Sequence, residues 1–130
     1  MGRDLTPLFE PRGVVVTGVS SHPGKFGFVT LHNLLACGYE GEVFAVGREA
    51  GSILEQPVLA SIEALPDGAA ELLVVCTPMS VNEEIIRTAA SRGVRAVFVA
   101  AGGYSETGPD GIEAEARLVA LAEELDLVLA

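Results

Sequence analysis

Val14-Val15-Val16-Thr17-Gly18-Val19-Ser20-Ser21-His22-Pro23-Gly24-Lys25-Phe26-Gly27 reads as a buried strand, a glycine-rich turn and the start of a helix. The three successive valines are β-branched and apolar toward both faces, as a central parallel strand requires. A turn between such a strand and a helix presents backbone N–H groups to an anion, and the helix dipole adds positive potential there. The stretch is therefore a candidate phosphate cradle. Five residues separate Gly18 from Gly24 and two separate Gly24 from Gly27, which differs from the G-x-G-x-x-G dinucleotide fingerprint.

Working outward, the same alternation continues. Residues 26–37 repeat apolar positions at helical spacing (Phe26, Thr30, Leu34, with Leu31 and Leu35 beside them), and Gly38 ends the run. A second strand is predicted over 42–46. Residues 47–58 read as a loop punctuated by Gly51 and Pro57, and 61–66 as a capped turn stopped by Pro66. A third strand over 71–76 breaks at Thr77-Pro78. A helix over 80–92 follows, with Val81, Ile85, Ile86, Ala89 and Ala90 inward. A fourth strand covers 95–100, then a glycine-bearing turn at Ala101-Gly102-Gly103-Tyr104. The last helix spans 110–125, with Ile112, Ala116, Val119 and Ala122 as its inner stripe and Leu118, Leu121 and Leu125 beside it. Leu127-Val128-Leu129 opens a fifth strand. Before the first strand, residues 6–13 form a lead whose prolines oppose regular pairing and whose Leu8 and Phe9 are expected to tuck against the body. Strand and helix in alternation, with mostly short connections, predict an α/β fold: a Rossmann-like doubly wound parallel sheet of about five strands with helices on both faces.

Composition agrees with that reading. The 130 residues suit one domain, and 49% are hydrophobic while only 5% are aromatic, so Val, Leu, Ile and Ala must build the core. The net charge of -10 argues against nucleic acid or an anionic membrane as a general partner. It leaves room for a phosphorylated small molecule held by local donors. The two cysteines, Cys37 and Cys76, lack metal-type spacing and read as buried free thiols of a cytoplasmic protein. No segment reads as a signal peptide or a bilayer span.

Ligands of open α/β sheets bind off the carboxyl ends of the strands. Four stretches converge there: 18–27, Gly47-Arg48, 76–79 and 100–104. NAD sites usually place an acidic residue at the end of the second strand. Arg48 stands there instead, which disfavours NAD and fits an extra phosphate on the adenosine ribose, the 2′-phosphate of NADP or the 3′-phosphate of coenzyme A. Lys25 sits inside the candidate cradle, where a cation opposes a diphosphate. Ser20 and Ser21 fit either a phosphate contact or a helix cap. Each has an ordinary alternative: a solvated loop arginine for Arg48, a solvent-facing lysine for Lys25. His22 lies in the turn without a carboxylate at useful spacing, His32 is mid-helix, and Glu106 follows the second glycine turn as a rim or exposed carboxylate. No metal-ligand set, nucleophile–histidine pair or paired carboxylates stands out, so no catalytic or metal-ligating residue is assigned.

The residues together resemble a known family: the N-terminal CoA-binding domain of NDP-forming acyl-CoA synthetases, the superfamily of the succinyl-CoA synthetase α-subunit and the ADP-forming acetate–CoA ligases. The resemblance covers nearly the whole chain. It rests on Leu8-Phe9-Glu10-Pro11-Arg12-Gly13-Val14, on Gly18-Val19-Ser20 through Gly24-Lys25-Phe26-Gly27, and on Asn33-Leu34 with Gly38-Tyr39-Glu40-Gly41. Residues 61–66, Thr77-Pro78, Gly93-Val94 and Gly103-Tyr104-Ser105-Glu106-Thr107-Gly108 extend it. The chain departs from the family at Gly47-Arg48-Glu49, where Asn-Pro and a basic residue are common, and at Ala101, where a hydroxyl residue is common. The resemblance implies that Gly18, Ser20, Ser21, Gly24, Lys25, Phe26 and Gly27 hold the CoA diphosphate and adenosine. It implies that Arg48 approaches the 3′-phosphate, and that Pro78, Ala100, Ala101 and Gly102 line the pantetheine path. It also implies that residues 1–130 are one domain of a longer acid–CoA ligase. The phosphorylated histidine and nucleotide-binding domain would lie elsewhere, so this chain would bind CoA or acyl-CoA without ligating it. An NADP-binding oxidoreductase domain and a ligand-free regulatory module of the same fold are the alternatives.

Overall fold

Three valines explain the centre of the sheet. In the computed structural model, β1 (Gly13–Val16) is buried along its whole length, flanked by β2 (Glu42–Val46) on one side and β5 (Leu72–Val75) on the other, both parallel to it. The structure describes residues 6–9, 11–19, 26–37, 39, 41–48, 51–54, 56–77, 79–100 and 109–130. With β3 (Ser52–Ile53), β4 (Gln56–Leu59), β6 (Ala96–Val99) and β7 (Val128–Leu129), the described residues form a seven-stranded sheet in the order β3-β4-β2-β1-β5-β6-β7. Every pairing is parallel except β3 with β4.

Side chains alternate across this sheet with the period of two that strands impose. Val14, Val16, Leu72, Val74 and Ala96 share one face with Leu31 of α2 (Phe26–Ala36). Val15, Leu73, Val75 and Val97 share the other with Ile86 and Ala89 of α3 (Met79–Ser91) and Leu118 and Leu121 of α4 (Pro109–Glu124). Helices thus cover both faces. α2 follows β1 onto one face and α3 follows β5 onto the other, so the chain reverses direction across the sheet between β1 and β5. That is the topological switch point, and the crevice it opens lies at the carboxyl ends of the strands. On the outside, Arg87–Glu124 (2.6 Å) and Arg117–Glu83 (2.9 Å) tie α3 to α4, exposed pairs worth at most about 1 kcal/mol each. Among the described residues no helix is long and apolar enough to cross a membrane.

Several expectations are corrected. The sheet has more strands than the five anticipated because 47–58 is not all loop. β4 pairs with β2 only from Val58 onward, so Pro57 sits ahead of that ladder, where its missing N–H costs nothing. In α4, Ile112 and Val119 are exposed, and Gly111, Ala114, Leu118, Leu121 and Ala122 face inward. Two stripes at helical spacing compete there, and the one carrying two leucines buries more apolar area. In α3, Val81 is exposed and Asn82 is fully buried. Cys37 is exposed at the end of α2, its thiol donating to the Leu34 carbonyl, and Cys76 is half-buried. The lead forms a single helical turn, α1 (Thr6–Phe9), with Pro7 buried; the side chains of Leu8 and Phe9 lie outside the described ones.

Two close fits hold the frame. At the amino edge of the sheet, the Glu71 carboxylate accepts from the Arg12 backbone N–H at 2.8 Å and pairs with the Arg12 guanidinium at 3.2 Å. These bonds hold the Glu71 carboxyl below its ordinary range. At the carboxyl edge, a Cβ on Gly27 would overlap the Gly18 carbonyl oxygen and lie 2.9 Å from the Val19 Cα, so the first turn of α2 rests directly on the end of β1.

A lowered carboxyl pKa adds stability above the unfolded pKa that is lost as pH falls through the folded one. Glu71→Gln is therefore expected to be less stable than the parent at neutral pH. Urea titrations should show the difference closing as the pH drops below the ordinary carboxylate value of about 4. A difference independent of pH would contradict the role of the charge. Gly27→Ala gains helix propensity of at most about 1 kcal/mol, yet its methyl meets backbone that cannot rotate away. A net destabilisation of about 1–3 kcal/mol is expected by urea denaturation, as for other overpacked sites; a stabilised variant would contradict the close approach.

Candidate functional site

The carboxyl ends of β1, β2, β5 and β6 come together through their backbones. The Thr17 N–H donates to Val74 O (3.0 Å), the Val19 N–H to Val46 O (3.0 Å), the Gly47 N–H to Leu59 O (3.1 Å) and the Ala100 N–H to Val75 O (2.9 Å). Each strand is thereby prolonged by a residue or two past its ladder. Gly18, Gly47-Arg48, Cys76-Thr77 and Ala100 all sit along one edge.

Gly18 is the tightest point. Its φ of +71° lies in the left-handed region, which costs glycine nothing and other residues about 1–2 kcal/mol. A Cβ there would also stand 2.8 Å from the Cys76 carbonyl oxygen and 3.2 Å from the Thr77 nitrogen. On the other side, a Cβ at Gly27 or Gly47 would run into the carbonyl oxygens of Gly18 or Val19, respectively. The Gly18–Val19 segment is thus packed by backbone of the described residues on both sides, and the first turn of α2 rests directly on it. Such a close strand-to-helix junction brings the amino end of α2, the positive end of its dipole, to this edge.

Beneath this edge lies a polar cluster that the sequence pattern did not announce. Thr17 and Asn82 are fully buried. The Thr77 hydroxyl donates to Asn82 Oδ1 at 2.6 Å, and the Thr17 and Thr77 hydroxyls are 3.1 Å apart. Among the described residues no buried side-chain nitrogen or oxygen is without a partner. The cluster explains why α3 turns Asn82 inward rather than Val81. Burying Val81 would gain about 1.5 kcal/mol or more, but it would take from the Thr77 hydroxyl its acceptor and leave the Asn82 amide exposed instead of bonded, at a cost of about 1–3 kcal/mol. An Asn inside an otherwise apolar helical stripe, five residues after a threonine, was the only signal available.

The Cys76 thiol lies on the α2 side, 3.6 Å from the Thr30 hydroxyl. Burial pushes its pKa up, against the smaller opposing effect of the Thr30 hydroxyl. It is a protonated thiol at neutral pH, unsuited to nucleophilic work. His32 is exposed and stacks on Phe28, ring centroids 6.4 Å apart.

Of the residues singled out in the sequence, the structure brings Gly18, Gly27, Arg48 and Ala100, with the backbone of Phe26 opening α2, to this one edge. Arg48 is exposed and joins none of the described ion pairs. Ser20, Ser21, Gly24, Lys25, Pro78, Ala101 and Gly102, along with His22 and Glu106, lie outside the described residues.

Comparison with known proteins shows the family. An ADP-forming acetate–CoA ligase II of Archaeoglobus fulgidus is 32% identical over 121 residues, covering 93% of this chain and 18% of the relative. The α subunit of an ADP-forming acetate–CoA ligase I of Pyrococcus furiosus is 31% identical over 124 residues, covering 92% of this chain and 27% of the relative. The chain thus spans about a fifth to a quarter of the length of these relatives. Among solved structures, the dinucleotide-forming acetyl-coenzyme A synthetase 1 of Ca. Korarchaeum cryptofilum superposes with a TM-score of 0.87 at 28% identity, over 97% of this chain and 26% of that one. Residues 12–129 match the family described as the CoA binding domain, and the chain belongs to that family.

Proposed function

We propose that this chain binds coenzyme A, or an acyl-CoA, across the carboxyl edge of its sheet at the β1/β5 switch point, as the CoA-binding domain of an ADP-forming acid–CoA ligase. The observation that supports the reading most is the close junction at Gly18, Val19 and Gly27. The amino end of α2, set directly against the end of β1 there, suits a diphosphate, with Ser20, Ser21, Gly24 and Lys25 of the intervening turn as its donors. Arg48, exposed at the end of β2 and outside every described ion pair, suits the 3′-phosphate. Ala100, prolonging β6 beside β5, begins the side of the crevice along which Pro78, Ala101 and Gly102 would line the pantetheine arm.

Binding is the whole of the role proposed for residues 1–130. They form one domain, and the phosphorylated histidine and nucleotide-binding parts of the ligase are supplied by other domains or subunits, in the cytoplasm. The domain's task is to hold the cofactor with its thiol directed out of the crevice toward those parts. No residue described here is assigned a bond-making step.

Isothermal titration of the chain with CoA, dephospho-CoA and NADP tests the reading. CoA is expected to bind saturably. Dephospho-CoA should bind about tenfold or more weakly, since a charge-assisted contact to phosphate contributes about 1.5–3 kcal/mol. Arg48→Glu should erase the difference between CoA and dephospho-CoA, and Lys25→Glu should weaken both by reversing charge at the diphosphate. Saturable NADP binding with no response to CoA would overturn the proposal in favour of an oxidoreductase-type domain. Failure of all three ligands would leave the fold as a module without a nucleotide.

A further inference from the structure

The Thr17–Thr77–Asn82 cluster does more than satisfy itself. Its three residues belong to three elements: the end of β1, the turn after β5 and the first turn of α3. Its direction is fixed by chemistry. Asn82 Oδ1 can only accept, so the single Thr77 hydroxyl proton is spent on it at 2.6 Å. Thr17 must then donate to Thr77 across 3.1 Å. The result is a one-way chain, Thr17 to Thr77 to Asn82, running under the switch point with Thr17 and Asn82 fully buried.

The two threonines flank the peptides that pack against each other at the base of the crevice. Thr17 precedes Gly18, and Thr77 follows the Cys76 carbonyl against which Gly18 is packed. A movement of Thr77 therefore changes the gap beside Gly18, and the hydroxyl chain is the side-chain tie that opposes it. We infer that Thr17, Thr77 and Asn82 are positioning residues that set the spacing between the β1 and β5 loops. They touch no ligand atom; through them the crevice keeps the width that grips the arm of the cofactor passing between the loops. The inference rests on the proposed CoA site. It places the effect on the pantetheine arm rather than on the adenosine end, which the β1–β2 side would hold.

The test uses Thr77→Val, nearly isosteric but lacking the hydroxyl, and Thr77→Ser, which keeps it. Titration with CoA and with adenosine 3′,5′-bisphosphate, which lacks the arm, separates the two ends. Thr77→Val is expected to weaken CoA about tenfold and leave the bisphosphate within about twofold, with Thr77→Ser restoring CoA affinity. Equal weakening of both ligands, or no change in either, would overturn the inference. If Thr77→Val fails to fold, Thr17→Val, which breaks only the outer bond, carries the same comparison. Amide exchange of the ligand-free chain separates this inference from the CoA reading itself. Faster exchange at Thr17, Val19 and Ala100 in the valine variant, with Arg95 and Ala96 at the far edge unchanged, supports the tie even if the parent ignores CoA. Unchanged exchange at all five overturns it.

Discussion

The passage of Gly18 beneath the Cys76–Thr77 peptide is the constraint on which the rest of the structure depends. β1 and β5 are adjacent parallel strands whose following helices depart to opposite faces. The chain leaving β1 must turn within a residue or two while in contact with the chain leaving β5. Only a residue without a Cβ fits, and its left-handed φ directs the backbone toward α2. Gly27 then allows the helix to settle on the turn it came from. The switch point and the aim of the α2 dipole both follow from this one crossing.

An acidic protein is an unexpected host for a polyanion, and distance resolves the contradiction. Exposed charges more than about 8 Å apart are largely screened at physiological salt. The outward carboxylates on α3 and α4, such as Glu83 and Glu124, are paired with Arg117 and Arg87, and those helices pack on one face of the sheet rather than on the carboxyl edge. What an anion at the proposed site would meet is local: one helix terminus and Arg48 at the end of β2. Net charge bounds the general partners of the surface and leaves a small site free to differ.

Much of this was legible in the residues. Continuous runs such as Val14-Val15-Val16 and Leu72-Leu73-Val74-Val75 declare buried parallel strands, because burial on both faces leaves no alternation to misread. The positions of the strand ends followed from them, and with them the edge where Gly18, Arg48 and Ala100 gather. The family resemblance, spread over many short motifs, is matched by the span 12–129. What escaped depends on partners distant in the chain. β4 exists because β2 offers it a ladder at Ala45 and Val46, which outweighs the warning of Pro57. Asn82 faces inward because the Thr77 hydroxyl, already bonded to that of Thr17 on β1's end, needs an acceptor. The exposed Ile112 and Val119 show the limit of periodicity, which finds a stripe but cannot choose between two that share a helix.

The most direct test is a residue-by-residue map of amide chemical shifts as coenzyme A is added to the chain. The account predicts large, saturable changes at Gly18, Val19, Gly27, Gly47, Arg48 and Ala100, along the carboxyl edge, with Gly13, Glu71 and Arg95 at the opposite edge unmoved. Changes centred on the opposite edge or on the outer faces of α3 and α4, or none at saturating CoA, would contradict it.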